Sequence, residues 1–194
     1  MTSSTPPTPA APPESPLERV LAGVARRVSG PVERLLCVGW LRRRLAQRAV
    51  KAWAASDRPL ILCYGNINRS PFAAELARAR TGKSPPSAGL FPMDGRGSPE
   101  ATVEQARQYG VDLAGHRSRV AGRAELAGAE AIFVFDLENL ARIAAQAPGA
   151  LRHTHLLALL GSDEAVAFIE DPHGRPRNVL ERAFAQIDDS LRPA

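Results

Sequence analysis

From Arg58 onward, short apolar runs of strand length alternate with segments of helical period, and few folds accept that alternation. Leu60-Ile-Leu-Cys63 and Ala131-Ile-Phe-Val-Phe135 are apolar throughout, as buried strands of a parallel sheet are. The pattern predicts strands near 59–63, 84–88, 131–135 and 153–157. Helices are expected at about 71–81, 98–110, 123–129, 137–146 and 178–192. The fold class is therefore α/β, with a four-stranded parallel sheet flanked by helices. Ligands of such sheets gather at the carboxyl ends of the strands, and Cys63 stands at one of them.

Cys63-Tyr-Gly-Asn-Ile-Asn-Arg-Ser-Pro71 joins the first strand to a helix whose start is marked by Pro71. The turn opens on a helix N-terminus, where unpaired N–H groups and the positive dipole end favour an anion. Gly65, and after it Asn66, can take the left-handed conformations that aim successive amides into one nest. A thiol at such a place, beside an arginine, is suited to act as a nucleophile. Arg69 can grip two phosphoryl oxygens through its planar fork, which lysine cannot. Ser70 can donate its hydroxyl hydrogen to the Cys63 sulfur. Together these residues read as a phosphate cradle with a nucleophile in its floor.

The chain has 194 residues, room for one domain of ordinary size and an appendage. Met1 to Pro16 is Ser, Thr, Pro and Ala with one charge, Glu14, and is expected to be disordered. Residues 17–56 read as a basic helical extension and 57–194 as the catalytic domain. In the extension, Leu17, Val20, Leu21, Val24 and Val28 fall at helical spacing until Ser29-Gly30-Pro31, where a break is expected. A second helix from Val32 to Ala54 is expected to carry Glu33, Arg44, Gln47, Arg48 and Lys51 on one side. Leu35, Val38, Leu41, Leu45, Ala49 and Trp53 fall on the other, and Arg42 and Arg43 blur the division. The pair is expected to pack on the main domain or on a second copy, the alternative being peripheral contact with a membrane.

The net charge of +5 divides unevenly. Residues 1–56 hold nine Arg or Lys against three Glu, or +6, and the remainder has 16 against 17, or −1. Because the basic excess belongs to the extension, nucleic acid is not the expected partner of the main domain. Two cysteines, Cys37 and Cys63, give neither a disulfide framework nor metal-ligand spacing, and fit a reducing, cytoplasmic setting. The run Leu35 to Leu41 is too short to span a bilayer. His153 and His155 read as strand or edge residues, and no metal or cofactor is implied.

The turn resembles the signature of the low-molecular-weight protein tyrosine phosphatases, Cys-x-Gly-Asn-Ile-Cys-Arg-Ser-Pro. The likeness continues through Ser87-Ala88-Gly89, Gly115-His116-Arg117-Ser118-Arg119, Phe135-Asp136 with Asn139-Leu140, and Ile169-Glu170-Asp171-Pro172. The resemblance implies a three-layer fold with the phosphate-binding loop after the first strand. It implies Cys63 as nucleophile of a phosphocysteine mechanism, Arg69 as phosphate clamp and Asp171 as general acid and base. Tyr64, Gly65, Asn66, Ile67, Asn68 and Ser70 would line the phosphate-binding loop. Asn66, Ser70, Ser87 and His116 match positions that brace it. The implied substrate is phosphotyrosine on a protein, and a bacterial tyrosine autokinase is the partner suggested by analogy.

The chain departs from the family pattern at three places. Asn68 replaces a cysteine that in many relatives can close a protective disulfide with the nucleophile, so Cys63 is expected to oxidise irreversibly more readily. His173-Gly174 stands where many relatives have an aromatic wall, and Tyr64 is the candidate substitute. Ile67 is the residue usual in the tyrosine phosphatases, whereas the related arginine phosphatases carry Thr. Protein arginine phosphatase activity and arsenate reduction are the alternatives within the fold, although no cysteine follows Cys63 to relay oxidising equivalents. A non-catalytic phosphate-binding adaptor is the alternative of another class.

Overall fold

The computed structural model describes residues 14–162 and 166–192. The sheet has four strands, β1 (Leu60–Cys63), β2 (Ser87–Gly89), β3 (Ile132–Val134) and β4 (Thr154–Leu156), in the order β2-β1-β3-β4. All neighbours are parallel, with Leu62 opposite Ala88 and Ile61 opposite Phe133. β1 and β3 are buried along their whole length, as their unbroken apolar runs require. β2 begins three residues later than the sequence pattern suggests. Pro85 and Pro86 lack N–H groups, so Pro86 contributes only its carbonyl, to the Ile61 amide at 2.9 Å.

Seven helices, α1 (Pro16–Leu36), α2 (Gly39–Ala55), α3 (Arg69–Thr81), α4 (Glu100–Arg107), α5 (Arg123–Gly128), α6 (Leu137–Gln146) and α7 (Arg177–Ser190), are formed among the described residues. Two short 3₁₀ segments, Pro148–His153 and Leu157–Leu160, flank β4 and have no counterpart in the expected pattern. On one side Phe72 of α3 stacks on Phe184 of α7, with ring centroids 3.8 Å apart. On the other, Trp53 of α2 meets Phe133 of β3 edge to face at 5.1 Å. Among the described residues, no helix is long and apolar enough to cross a membrane.

The extension differs from its expected form. Residues 1–13 of the expected tail lie outside the described residues, but Glu14 and Ser15 are placed and Pro16 is already helical. Ser15 and Glu18 form a reciprocal capping box that starts α1. The helix then runs through Ser29-Gly30-Pro31 without breaking and ends only at Cys37 and Val38. Pro31 removes one intrahelical bond, while Ala22 and Ala25 are buried on the inner face and α1 packs along α6, so tertiary packing overrides the local breaker.

The second helix begins at Gly39 rather than Val32, which leaves Glu33 and Leu35 on α1, and its Arg42 turns inward rather than blurring the surface. It is buried and donates from Nη1 to the Val166 carbonyl at 2.9 Å. Leu35 and Val38, expected on the packed side, are exposed, as are Leu17, Val20, Val24 and Val28 on the outer face of α1. The extension therefore docks on the main domain yet keeps an apolar stripe outward.

Candidate active site

The carboxyl ends of β1 and β3 carry the site. Cys63 ends β1 and Asp136 follows β3 as the N-cap of α6, so parallel pairing sets both on one edge of the sheet. Asp136 accepts the Asn139 amide at 2.7 Å through Oδ1, leaving Oδ2 for the interior.

The turn after Cys63 is organised by Asn66. Its φ of 50° is the left-handed conformation that the turn requires, whereas Gly65 does not adopt positive φ, contrary to the sequence expectation. Asn66 is fully buried and nearly all of its polar groups are used. Its amide N–H donates to Cys63 Sγ at 3.2 Å, and Nδ2 donates to Ser70 Oγ at 2.9 Å and Ser87 Oγ at 3.0 Å. Its Oδ1 accepts the Arg119 amide at 3.0 Å, and its carbonyl meets His116 Nε2 at 2.7 Å. A carbonyl can only accept, so His116 carries its proton on Nε2. Glycine is needed elsewhere, at Gly89, where a Cβ would stand 3.1 Å from the Tyr64 carbonyl and 3.3 Å from Asn66 Cβ.

Ser70 Oγ lies 3.0 Å from Cys63 Sγ and 3.4 Å from the Ala88 carbonyl. Either atom can donate across the Ser70–Cys63 contact while Cys63 is a thiol, and once the sulfur is ionised only the Ser70 hydroxyl can. Asn68 does not cap α3. Its Oδ1 instead accepts the Thr102 hydroxyl at 2.7 Å, both residues being buried.

Arg69 is 1% exposed and is the most buried cation of the site. Nη1 donates to Asp136 Oδ2 at 2.6 Å and to the Ile169 carbonyl at 2.8 Å, and Nη2 donates to Asp171 Oδ2 at 2.7 Å. Its guanidinium carbon lies 5.2 Å from the Phe135 ring centre. Burial opposes the charge, but Asp136, Asp171 and Cys63 outweigh it and hold the guanidinium more firmly protonated than a free arginine. Nε is buried and has no protein partner among the described residues.

Cys63, Tyr64, Gly65, Ile67, Asn68 and Asp171 meet in one cavity of about 180 Å³. Phe91, Arg96 and His173 complete its wall. The rings of Tyr64 and Phe91 are 4.9 Å apart and make one aromatic side, which sequence reasoning assigned to Tyr64 alone. Arg142 lies over the Tyr64 ring at 4.3 Å, and the Tyr64 hydroxyl donates to Glu14 at 3.2 Å. Burial pushes the Tyr64 phenol up to about 12. Arg96 Nη2 holds the Gly65 carbonyl at 2.8 Å.

Sequence reasoning quoted Asp136 and Arg119 within matching segments without giving them a part, and missed Phe91, Arg96, Thr102, Glu14 and Arg142. Asp136 had a usable signal, since it directly follows a buried strand at the ligand-binding edge. His153 and His155 lie away from the cavity. His155 is in β4 near the Phe133 ring, and His153 Nε2 is 3.2 Å from the Leu126 carbonyl.

The sequence model described as low molecular weight phosphotyrosine protein phosphatase matches residues 59–193. The chain belongs to that family. A probable low molecular weight protein-tyrosine-phosphatase, EpsP of Ralstonia solanacearum, is 33% identical over 129 residues, 66% of this chain and 86% of that protein. The tyrosine phosphatase Wzb from Escherichia coli K30, solved with sulphate, has a TM-score of 0.63 at 25% identity over 70% of this chain and 93% of its own. The YwlE arginine phosphatase from Geobacillus stearothermophilus has a TM-score of 0.61 at 26% identity, covering 69% of this chain and 87% of its own. The family match begins after α2, so the helical extension lies outside it.

Proposed function

We propose that the protein hydrolyses phosphotyrosine on proteins through a phosphocysteine intermediate. The observation that carries this reading is the cavity in which Cys63, Tyr64, Gly65, Ile67, Asn68 and Asp171 meet, with the buried Arg69 bonded to Asp171. The Asn66 amide and the Ser70 hydroxyl both reach Cys63 Sγ and stabilise it as an anion. That sulfur attacks phosphorus, and the bond to the tyrosine oxygen breaks. Asp171, as the acid, gives its proton to the leaving oxygen. In the second step the Asp171 carboxylate takes a proton from water, whose oxygen attacks phosphorus. The S–P bond breaks, releasing inorganic phosphate and the thiolate.

Arg69 has a division of labour that suits this sequence. Nη1 is held by Asp136 and the Ile169 carbonyl, while the opposite edge offers the unpartnered Nε and the Nη2 shared with Asp171. A phosphoryl group gripping that edge takes Nη2 from Asp171 and frees the carboxyl for the leaving oxygen. Substrate arrival thus releases the acid.

The aromatic side made by Tyr64 and Phe91, with apolar Ile67 in the loop, favours a phosphorylated aromatic ring over phosphoarginine or arsenate. The chemistry needs a reduced thiol, which fits the cytoplasm, and the partner is a phosphotyrosine protein, for which a tyrosine autokinase is a candidate. A panel of phosphotyrosine, phosphoarginine and phosphoserine peptides, with arsenate plus thiol donors, tests the reading. Preferred release of phosphate from phosphotyrosine is expected. Preference for phosphoarginine or arsenate, or no turnover at all, overturns it.

A further inference from the structure

The segment that delivers Asp171 has no regular secondary structure of its own, and half of its anchorage comes from helices outside the family match. Toward the sheet, the Ile169 amide donates to the Phe135 carbonyl at 2.8 Å and its carbonyl accepts from Arg69. Toward the extension, Glu33 Oε1 of α1 accepts the Ala167 amide at 3.2 Å and the Phe168 amide at 3.0 Å. Arg42 of α2 donates to the Val166 carbonyl. Ala167 is fully buried, and a buried amide without an acceptor is costly, so Glu33 selects one path for this stretch. A carboxylate accepting two N–H groups is also a stronger anchor than a neutral oxygen.

The same helix borders the site. Arg26, Ser29 and Glu33 line a groove of about 660 Å³ together with Arg69, Asp136 and Asp171. Along α6, Glu138, Arg142 and Gln146 present one face at four-residue spacing and bond Arg26, Glu14 and Glu18 of the extension. That helix carries Asp136 at its N-cap. Both carboxylates that hold Arg69 are therefore braced by the extension, Asp171 through the 166–168 segment and Asp136 through α6.

We propose that the N-terminal helices are a working part of the phosphatase site and that Glu33 is a positioning residue for Asp171. The inference rests on the reading of Asp171 as the acid. Its test in the full-length protein compares kcat/KM for p-nitrophenyl phosphate, whose leaving group departs readily as an anion, with phenyl phosphate, which depends on protonation. Glu33→Ala is expected to lower turnover of phenyl phosphate about tenfold and of p-nitrophenyl phosphate only about twofold. Asp171→Asn should bias the two substrates in the same direction more strongly, and adding Glu33→Ala to it should leave that bias unchanged. Glu33→Gln keeps an oxygen that can accept both amides and should restore the wild-type ratio. If the alanine variant does not fold, Glu33→Asp, which keeps the charge but shortens the reach, carries the same expectation. Equal losses on both substrates, or an unchanged ratio in Glu33→Ala and Glu33→Asp, overturn the proposal. A wild-type protein inert toward both substrates overturns the phosphatase reading itself.

Discussion

The two halves of the site are built in opposite ways. The Cys63–Ser70 turn is nearly self-sufficient, since Asn66 ties the sulfur, Ser70, Ser87, Arg119 and His116 into one buried knot. The stretch from Val166 to Asp171 is held at a distance by Phe135, Arg69, Glu33 and Arg42, and the Asp171 side chain is 35% exposed. A nucleophile needs a rigid cradle, because the amides must already face the charge as it develops. An acid that must let go of Arg69 when phosphate arrives needs a looser mounting. The contrast between a buried, locally bonded turn and a remotely tethered one is thus a division between preorganisation and release.

The hardest blow to both halves is Cys63→Ser, expected to lower p-nitrophenyl phosphate turnover by about 10⁴-fold or more while calorimetry still finds inorganic phosphate bound. Loss of phosphate binding as well would mean that the cradle depends on the sulfur. Asp171→Asn comes next, with kcat for phenyl phosphate, whose leaving oxygen needs a proton, reduced about 10²- to 10⁴-fold. Its melting temperature should barely move, because Arg69 keeps Asp136 and the Ile169 carbonyl. Asn66→Ala should behave oppositely and destabilise the fold by about 1–3 kcal/mol in denaturant titration, since it removes the side-chain bonds that the buried Asn66 makes to Ser70, Ser87 and the Arg119 amide and forces alanine into positive φ. If Asp171→Asn destabilised as much as Asn66→Ala, the division would collapse.

The smallest effect is spectroscopic. Tyr64 links the turn to Glu14 of the extension, and burial raises its phenol to about 12, while burial also raises Tyr109. A raised value means that the folded protein favours the neutral phenol. This contribution to stability is complete below the ordinary tyrosine value of about 10 and is lost as pH climbs from there through the folded value. As these are the only two tyrosines, ultraviolet titration should show little tyrosinate at pH 10 in the folded protein and much more in urea.

The same contrast explains what could be read from the sequence. The turn was legible because its partners are close in sequence or belong to a pattern of fixed spacing, and the strand that precedes it is apolar throughout. Asp171 was legible only through resemblance, as an Asp-Pro pair alone marks an ordinary turn. Arg42 falls on the helix expected for it, whereas Glu33, expected on the second helix, belongs to α1, and neither partner was foreseen, because helical period gives a face and not the element opposite it. The break expected at Pro31 failed for a related reason. Local propensity names a weak point, and the packing of α1 on α6 decides whether it yields. Within the turn, glycine was the obvious residue for the left-handed position, yet Asn66 occupies it, since its side chain is needed there for the bonds that glycine lacks.

The hydroxyl that Thr102 donates to Asn68 ties α4 to the turn. Asn68→Cys would put a second thiol in the turn but take from a buried Thr102 hydroxyl the oxygen that now accepts it. The amide at position 68 is thus a structural tie between the turn and α4, and Asn68→Cys is expected to trade stability for a second thiol, which denaturant titration of the variant checks.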